Sequence, residues 1–402
     1  MKKASHNLLL TPLVVFTLIK MCPGSNVNVA TANVLTNKKW VLSARPSGAF
    51  SENDTNMPTE EIDLEKVVEM TDGSTCTSSD AFHISPDEVL VKVEALSIDA
   101  FIRTMLDEEA FHGSVSIGDT MPAMGIGKVL KSGSQSKLRE GDTVIGMLGA
   151  QTIAKVKSSG LNKSMLPMAN PTLSLGLLGV TGLTAYVGTF SVTQGPKKGE
   201  TVVVSAAAGA TGSVAAQLAK IAGARVVGIA GGTKKTKFLL EDLGLDAAID
   251  YKDTSKSVRE QLSETCPDGI DFFYDNVGGE ILDAVIEKIN MNARIVICGA
   301  VSQYSGNLNK GKVQGPSNYL KLAEKSATMK GFALMNESSS FPAAIAWLLY
   351  YYNRGLVKLP EHVENGIEKF AAAMVMMFNG GYIGRTIVDV AGVKNIDVKS
   401  SA

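Results

Sequence analysis

The segment at residues 201–220 constrains the fold of this chain more than any other. It runs TVVVSAAAGATGSVAAQLAK, which predicts a β-branched strand, a turn of small residues and an amphipathic helix. Such a turn lets the backbone approach a pyrophosphate, which free N–H groups and the positive end of the helix dipole then hold. In the G-x-G-x-x-G pattern Ala207 replaces the first glycine, whereas Gly209 and Gly212 fit. The segment therefore predicts a phosphate-binding βα unit.

A second half-unit follows and indicates which nucleotide binds. Residues 223–230 predict a strand whose end lies near the adenosine ribose, where an NAD site usually has Asp or Glu. This chain has GGTKK at residues 231–235 instead. The ammonium groups of Lys234 and Lys235, with no carboxylate, favour NADPH over NADH. The alternative is that both lysines are solvated side chains in the first turn of a helix.

Three further strand-like segments alternate with helix-length segments downstream. They lie at residues 247–251, 270–274 and 293–298, and the alternation predicts a parallel sheet covered on both faces. Ligands of such sheets bind beyond the carboxyl ends of the strands. Residues 275–279 and 299–304 are therefore placed to contact the cofactor.

Composition and spacing argue against several other classes of protein. A chain of 402 residues suits two domains, because single cores stop growing near about 250 to 300 residues. The 39 Lys and Arg residues against 40 Asp and Glu, with no basic tract, give no reason to expect a nucleic-acid partner. No structural zinc site or disulfide framework is predicted, and His83 and His112 are expected on surface loops. The cysteines and histidines, which show no ligand spacing, are Cys22, Cys76, Cys266, Cys298, His6, His83, His112 and His362.

The first 33 residues differ from the rest of the chain. Lys2 and Lys3 precede a mostly apolar stretch at residues 8–19, which is similar to a weak signal or transit sequence. A bilayer span needs about 20 residues, so this stretch is too short to be one. We predict a targeting or disordered extension over residues 1–33 and a cytoplasmic protein. An organellar or secretory route is the alternative.

The part between the extension and the nucleotide-binding unit is rich in short strands. Residues 88–95, 125–130 and 141–146 predict strands separated by glycine turns, a pattern typical of irregular β-barrels. Residues 386–390 predict a late strand after a helical stretch. We expect that strand to return to the β domain.

Together these segments resemble the zinc-free medium-chain dehydrogenase/reductases, in the branch of prostaglandin and leukotriene B4 reductases, alkenal double-bond reductases and curcumin reductase. The resemblance implies an α/β chain with a GroES-like β-barrel catalytic domain over residues 34–174 and 353–395. It also implies a Rossmann domain, a doubly wound parallel sheet that binds NADPH, over residues 175–352, and a homodimer. The motifs that carry it, in the order of the family, are residues 37–48, 96–103, 182–186, 206–212, 275–279 and 384–388.

The resemblance also implies the cofactor site. Lys235 and Tyr251 would hold the adenosine 2′-phosphate, although Tyr251 could instead be an ordinary core or surface aromatic residue. Phe101 and Tyr382 depart from the family, which often has Tyr and a nicotinamide-contacting Asn at these positions. The remaining cofactor-binding residues are Gly209, Ala210, Thr211 and Gly212 for the pyrophosphate, and Asn276, Cys298, Gly299, Ala300, Val301, Ser302, Tyr304, Phe332, Ala333 and Leu334 for the ribose and nicotinamide.

The implied reaction is NADPH-dependent reduction of a carbon–carbon double bond conjugated to a carbonyl. The developing enolate oxygen needs a hydrogen-bond donor, and Tyr304 is the candidate catalytic residue. The alternative is that Tyr304 only packs beside the cofactor. Two other functions stay open: a quinone reductase, and a protein that binds NADPH without turning over a substrate. The expected partner is a small enone or enal.

Overall fold

The computed structural model describes residues 34–70, 82–110, 112–164, 171–305, 313 and 315–392. The predicted extension at residues 1–33, with Cys22 and His6, lies outside these residues, as does Cys76. In the described part the strands are β1 (Val34–Lys38), β2 (Val41–Leu42), β3 (Thr55–Asn56), β4 (Thr59–Asp63), β5 (Val67–Glu69), β6 (Phe82–Ile84), β7 (Glu88–Ile98), β8 (Met124–Ser132), β9 (Thr143–Met147), β10 (Ile153–Lys157), β11 (Leu161–Lys163), β12 (Thr201–Ser205), β13 (Arg225–Ala230), β14 (Ala247–Asp250), β15 (Ile270–Asp275), β16 (Ile289–Ile297), β17 (Thr328–Gly331), β18 (Glu361–Asn365) and β19 (Arg385–Asp389). The helices are α1 (Phe101–Thr104), α2 (Pro171–Leu175), α3 (Val180–Phe190), α4 (Ala210–Ile221), α5 (Thr233–Glu241), α6 (Val258–Thr265), α7 (Gly279–Ile286), α8 (Leu320–Glu324), α9 (Phe341–Asn353) and α10 (Phe370–Phe378).

Six strands form a parallel sheet in the order β14-β13-β12-β15-β16-β17. This is the strand order of a doubly wound nucleotide-binding sheet, with β12 at the point where the order reverses. The valines of β12 explain why both faces are covered. Val202 and Val204 pack in the layer of α3 and α4, whereas Val203 packs in the layer of α6 and α7. The predicted α/β fold class is confirmed.

The structure also corrects two details of this sheet. β16 begins at Ile289, four residues before the predicted segment at 293–298. The sixth strand, β17, was not predicted, because TMKG contains one β-branched residue and all four residues are exposed.

A second, mixed sheet has the order β11-β9-β8-β7-β19-β18, and β10 also pairs with β7. The long strand β7 is its centre, and its Val89, Val91, Val93 and Leu96 lie in a core shared with α1 and α10. β19 pairs antiparallel with β7, so the late strand lies in this sheet. His83 lies in β6 and pairs with Val68, so its expected placement on a surface loop was wrong.

The two sheets meet beside the turn that follows β12. Just before β19, the N–H of Gly384 donates to the carbonyl of Ala208 over 2.7 Å, and Gly384 forms an isolated bridge with Gly209. One side of the turn after β12 is therefore held by the segment that leads into β19.

Candidate functional site

The turn between β12 and α4 has the local geometry that phosphate binding requires. Ala206 has a left-handed φ of +48°, and a Cβ at Gly212 would lie 2.3 Å from the carbonyl oxygen of Ala206, so only glycine fits there. The first helical hydrogen bond of α4 runs from Ser213 N to Gly209 O. The amides of residues 210–212 precede that bond and have no acceptor within the helix. They form an anion-binding helix start.

A buried hydrogen-bond hub fixes the carboxyl ends of β12 and β15 next to this turn. The hydroxyl of Ser205 donates to Asp275 Oδ1 and accepts from the Asn276 N–H, both over 2.8 Å. The Asp275 carboxylate also accepts from the N–H groups of Val277 and Gly278. Burial raises the pKa of Asp275 in spite of these donors. The side-chain amide of Asn276 donates to Ser205 O over 2.7 Å, which fixes its orientation at the sheet edge.

We expect Ser205→Ala to lower the free energy of unfolding by about 1–3 kcal/mol, since it leaves buried polar groups without a partner. Chemical denaturation measures the change. The control is Ser263→Ala, whose hydroxyl bonds only the Arg259 carbonyl on the exposed side of α6, and it should change stability by less than about 0.5 kcal/mol. Equal stability of the two variants would show that the hub does not hold the strand ends.

The segment after β16 turns over the same edge of the sheet. Cys298 and Gly299 donate their N–H groups to Asp275 O, and Val301 N donates to Asn276 O. Tyr304 Oη accepts from the Ala300 N–H at 3.3 Å. A Cβ at Gly299 would lie 2.9 Å from that oxygen, so the absence of a side chain there makes room for the phenol. The structure therefore brings Asn276, residues 298–302 and Tyr304 together.

The pKa values of Cys298 and Tyr304 determine which chemical role each side chain can take. Burial raises the pKa of the Cys298 thiol to about 12, so it stays protonated and is not a nucleophile near neutral pH. Burial also raises the pKa of Tyr304. A neutral phenol keeps its proton and is a hydrogen-bond donor, and its oxygen already accepts from Ala300.

The end of β14 and the start of α5 contribute a set of side chains that we call the basic cluster: Lys235, Tyr251 and Lys252. A Cβ at Gly380 would lie 3.6 Å from Lys235 Nζ, 3.9 Å from Tyr251 Oη and 4.0 Å from Lys252 Nζ. Three polar groups, one from the start of α5 and two from the turn after β14, thus lie within 4.0 Å of one point. The ring of Tyr251 lies against Gly231, where a Cβ would be 2.7 Å from it. Lys234 is an exposed residue in the first turn of α5.

Three other predicted residues follow β17 on the same side of the sheet. Phe332 and Leu334 are partly buried against the core that contains β12, and Ala333 lies between them. They directly follow the carboxyl end of β17, and ligands of such sheets bind at the carboxyl ends of the strands.

Tyr382 is held by two neighbours of the mixed sheet. Its hydroxyl donates to Glu364 Oε1 over 2.9 Å, and its ring stacks on His362 with the ring centres 4.0 Å apart. Burial and the Glu364 carboxylate raise its pKa to about 12. Phe101, the other departure from the family, packs against the core of the mixed sheet and contacts the ring of His112.

Sequence reasoning missed several residues of this edge. Ser205 was assigned only to a strand, and Asp275 only to a segment that contacts the cofactor, so their buried hydrogen bond was not predicted. Each residue ends its strand, which is the signal that could have found the pair. Lys252 directly follows Tyr251, and Gly380 belongs to the pair Gly380-Gly381, but they come together only in the fold.

The described part of the chain has neither a metal-binding cluster nor a membrane-spanning helix. There, no group of three or more His, Cys, Asp or Glu side chains is arranged to hold a metal ion. Every helix of that part is too short or too polar to cross a bilayer.

Comparison with known proteins gives two family matches. The model of the zinc-binding dehydrogenase family matches residues 210–349, and that of the N-terminal domain of oxidoreductase matches residues 65–164.

Individual relatives cover most of the chain. Prostaglandin reductase 1 of Mus musculus is 38% identical over 307 residues, which is 75% of this chain and 89% of the relative. The NADP(+)-dependent 2-alkenal reductase of Nicotiana tabacum is 34% identical over 371 residues, 90% of this chain and 99% of the relative. The crystal structure of CurA in complex with NADPH from Vibrio vulnificus has a TM-score of 0.74 and 29% identity, and covers 88% of this chain and 99% of that one.

Proposed function

Because the chain belongs to the medium-chain dehydrogenase/reductase family, in the branch of the alkenal and prostaglandin reductases, we propose that it reduces the carbon–carbon double bond of α,β-unsaturated ketones and aldehydes with NADPH. It would then be an oxidoreductase that acts on CH–CH groups. The observation that carries this proposal is that the turn between β12 and α4, the basic cluster and Tyr304 lie together at one edge of the parallel sheet.

The residues present fit NADPH. The open amides of residues 210–212 match a pyrophosphate, and the basic cluster matches the 2′-phosphate that distinguishes NADPH from NADH. A Cβ at Gly380 would fill the space between the three groups of that cluster. Such a space, with ammonium groups and no carboxylate partner for either lysine among the described residues, suits an anion.

Each part of the cofactor would be held by a different group of residues. Gly209, Ala210, Thr211 and Gly212 would bind the pyrophosphate, and Lys235 and Tyr251 the 2′-phosphate. The ribose and nicotinamide would contact the turn after β16, the segment after β17 and the segment that leads into β19. Those residues are Asn276, Cys298, Gly299, Ala300, Val301, Ser302, Tyr304, Phe332, Ala333, Leu334 and Tyr382.

When bound, NADPH supplies a hydride to the β-carbon of the substrate. Negative charge would then develop on the carbonyl oxygen, where a donor placed in advance would stabilise it. A proton from solvent water on the α-carbon would complete the saturated product. Tyr304 can act as that donor without ionising, because burial holds its proton and Ala300 N–H occupies its oxygen. The hub of Ser205 and Asp275 keeps the surrounding turn in place.

A panel of substrates tests this function. We expect NADPH to be oxidised with short enals, cyclic enones, 15-keto lipids or curcuminoids, with a saturated carbonyl compound as product. Turnover of benzoquinone without turnover of any enone would instead identify a quinone reductase. NADPH binding with no turnover of either class would identify a binding protein without catalysis.

We also propose that activity requires no metal. Dialysis against a strong chelator is expected to leave the rate unchanged, and elemental analysis should find no stoichiometric zinc. A rate that chelation abolishes and added zinc restores would contradict this proposal.

We propose a homodimer formed through the β17 edge. An edge strand offers unpaired N–H and C=O groups to another chain, and all four residues of β17 are exposed. Met335, which is 73% exposed, and Trp347, 47% exposed, follow it in the chain. Light scattering should give twice the chain mass of 42.4 kDa, and Met335→Asp should shift the population towards the single chain. A single-chain mass for the unaltered protein would contradict the dimer.

The limits of the domains and the cellular compartment of the protein are proposals as well. We propose a catalytic domain over residues 34–174 and 353–395, a Rossmann domain over 175–352, and a cytoplasmic protein. Limited proteolysis tests the limits. Removal of residues 1–33 within cells, detected by mass spectrometry, would indicate an organellar or secretory route instead.

A further inference from the structure

We propose that Lys252 is a third ligand of the adenosine 2′-phosphate and a determinant of the preference for NADPH over NADH. This inference rests on the proposed function and adds a residue that the family resemblance does not supply. It follows from the position of Lys252 in the basic cluster.

Lys252 lies close to the same point as Lys235 and Tyr251, the two implied ligands of the 2′-phosphate. The distances from a Cβ at Gly380 to Lys235 Nζ, Tyr251 Oη and Lys252 Nζ differ by only a few tenths of an ångström. Gly380 has a left-handed φ of +69°, and its turn closes one side of the cluster. The three groups therefore border one small space that holds no protein side chain.

The backbone around Lys252 is fixed rather than loose. Asp250 Oδ1 accepts from the N–H of Gly232 over 2.7 Å and from the N–H of Lys252 over 2.9 Å. This carboxylate oxygen is occupied by the backbone, and it ties the start of α5 to the end of β14. Lys252 Nζ lies over the face of the Tyr251 ring, 5.9 Å from its centre, so the two side chains of the cluster are in contact range.

The positive charges of the basic cluster are not neutralised by carboxylates of the described residues. Neither Lys235 nor Lys252 pairs with a carboxylate among the described residues, whereas Lys237 on the same helix pairs with Glu241. Burial, followed by the charge of Lys252, lowers the pKa of Lys235. Two ammonium groups repel each other, and a bound dianion would attract both of them and offset that repulsion.

A solvated lysine need not lie near another ammonium group. Lys252 Nζ, by contrast, lies within 4.0 Å of the point that Lys235 Nζ and Tyr251 Oη also approach. A 2′-phosphate carries two negative charges and three acceptor oxygens, which match two ammonium groups and one phenol.

The test compares two nucleotides that differ only in the 2′-phosphate. Titration calorimetry of the full chain should show that Lys252→Ala weakens binding of 2′,5′-ADP about tenfold and leaves binding of 5′-AMP unchanged. Lys252→Arg should restore most of the affinity, and Lys237→Ala, the matched control on α5, should change neither. Melting temperatures should stay the same, because the side chain of Lys252 is exposed.

Two results would overturn the inference. One is unchanged affinity of Lys252→Ala for 2′,5′-ADP, and the other is an equal loss for both nucleotides. Either could occur while the unaltered protein still prefers 2′,5′-ADP and reduces enones, which would leave the proposed function standing. An unaltered protein that does not prefer 2′,5′-ADP would contradict the NADPH site itself and, with it, the role of Lys252.

Discussion

Replacing Lys235 with Ala is expected to raise the KM for NADPH about ten- to a hundredfold and to leave the KM for NADH little changed. The substitution removes a charge-assisted contact of about 1.5–3 kcal/mol to the 2′-phosphate, and NADH has no such phosphate. Steady-state kinetics with both cofactors and one enone measures the two values.

The stability of the same variant gives an independent reading. Because burial lowers the pKa of Lys235, the folded state disfavours its charged form, so the substitution should not lower the melting temperature near neutral pH. Lys237→Ala removes a lysine from the exposed side of α5 and should change neither cofactor's KM. Equal KM values for NADPH and NADH in the unaltered protein would refute the role of Lys235.

Tyr304→Phe is expected to lower kcat about tenfold and to change the Kd of NADPH much less. Loss of one oxyanion donor can cost about a hundredfold, but the ribose hydroxyl of the cofactor can replace part of it. The variant should fold, since the ring remains and only the oxygen that accepts from Ala300 N–H is lost.

The control for this variant is Tyr350→Phe, which alters a half-exposed tyrosine of α9. It should keep the unaltered kcat. If Tyr304→Phe also keeps it, Tyr304 only packs against Gly299, and the oxyanion role passes to the ribose or to a backbone N–H.

The sequence predicts the nucleotide-binding sheet well because local patterns determine it. Val202, Val203 and Val204 are all buried, alternately in the two helix layers, as a strand with two covered faces requires. Gly212 is required where a Cβ would meet the preceding turn. These signals lie within about 20 consecutive residues, so no knowledge of the tertiary structure is needed.

Tertiary contacts explain what the sequence does not predict. β17 is short and exposed and becomes a strand only by pairing with β16. Lys252 and Gly380 lie far apart in the chain and meet because β19 brings the late segment to the phosphate turn. The hub at Ser205 depends on Asp275, which lies on the neighbouring strand in space.

The most direct test of the proposed reaction follows the hydride itself. The protein is incubated with an enone and NADPH dideuterated at C4 of the nicotinamide, and the product is examined by NMR. We predict a saturated ketone that carries deuterium on the former β-carbon and retains its carbonyl group. Deuterium on the carbonyl carbon of an allylic alcohol, or no transfer to the enone at all, would contradict double-bond reduction.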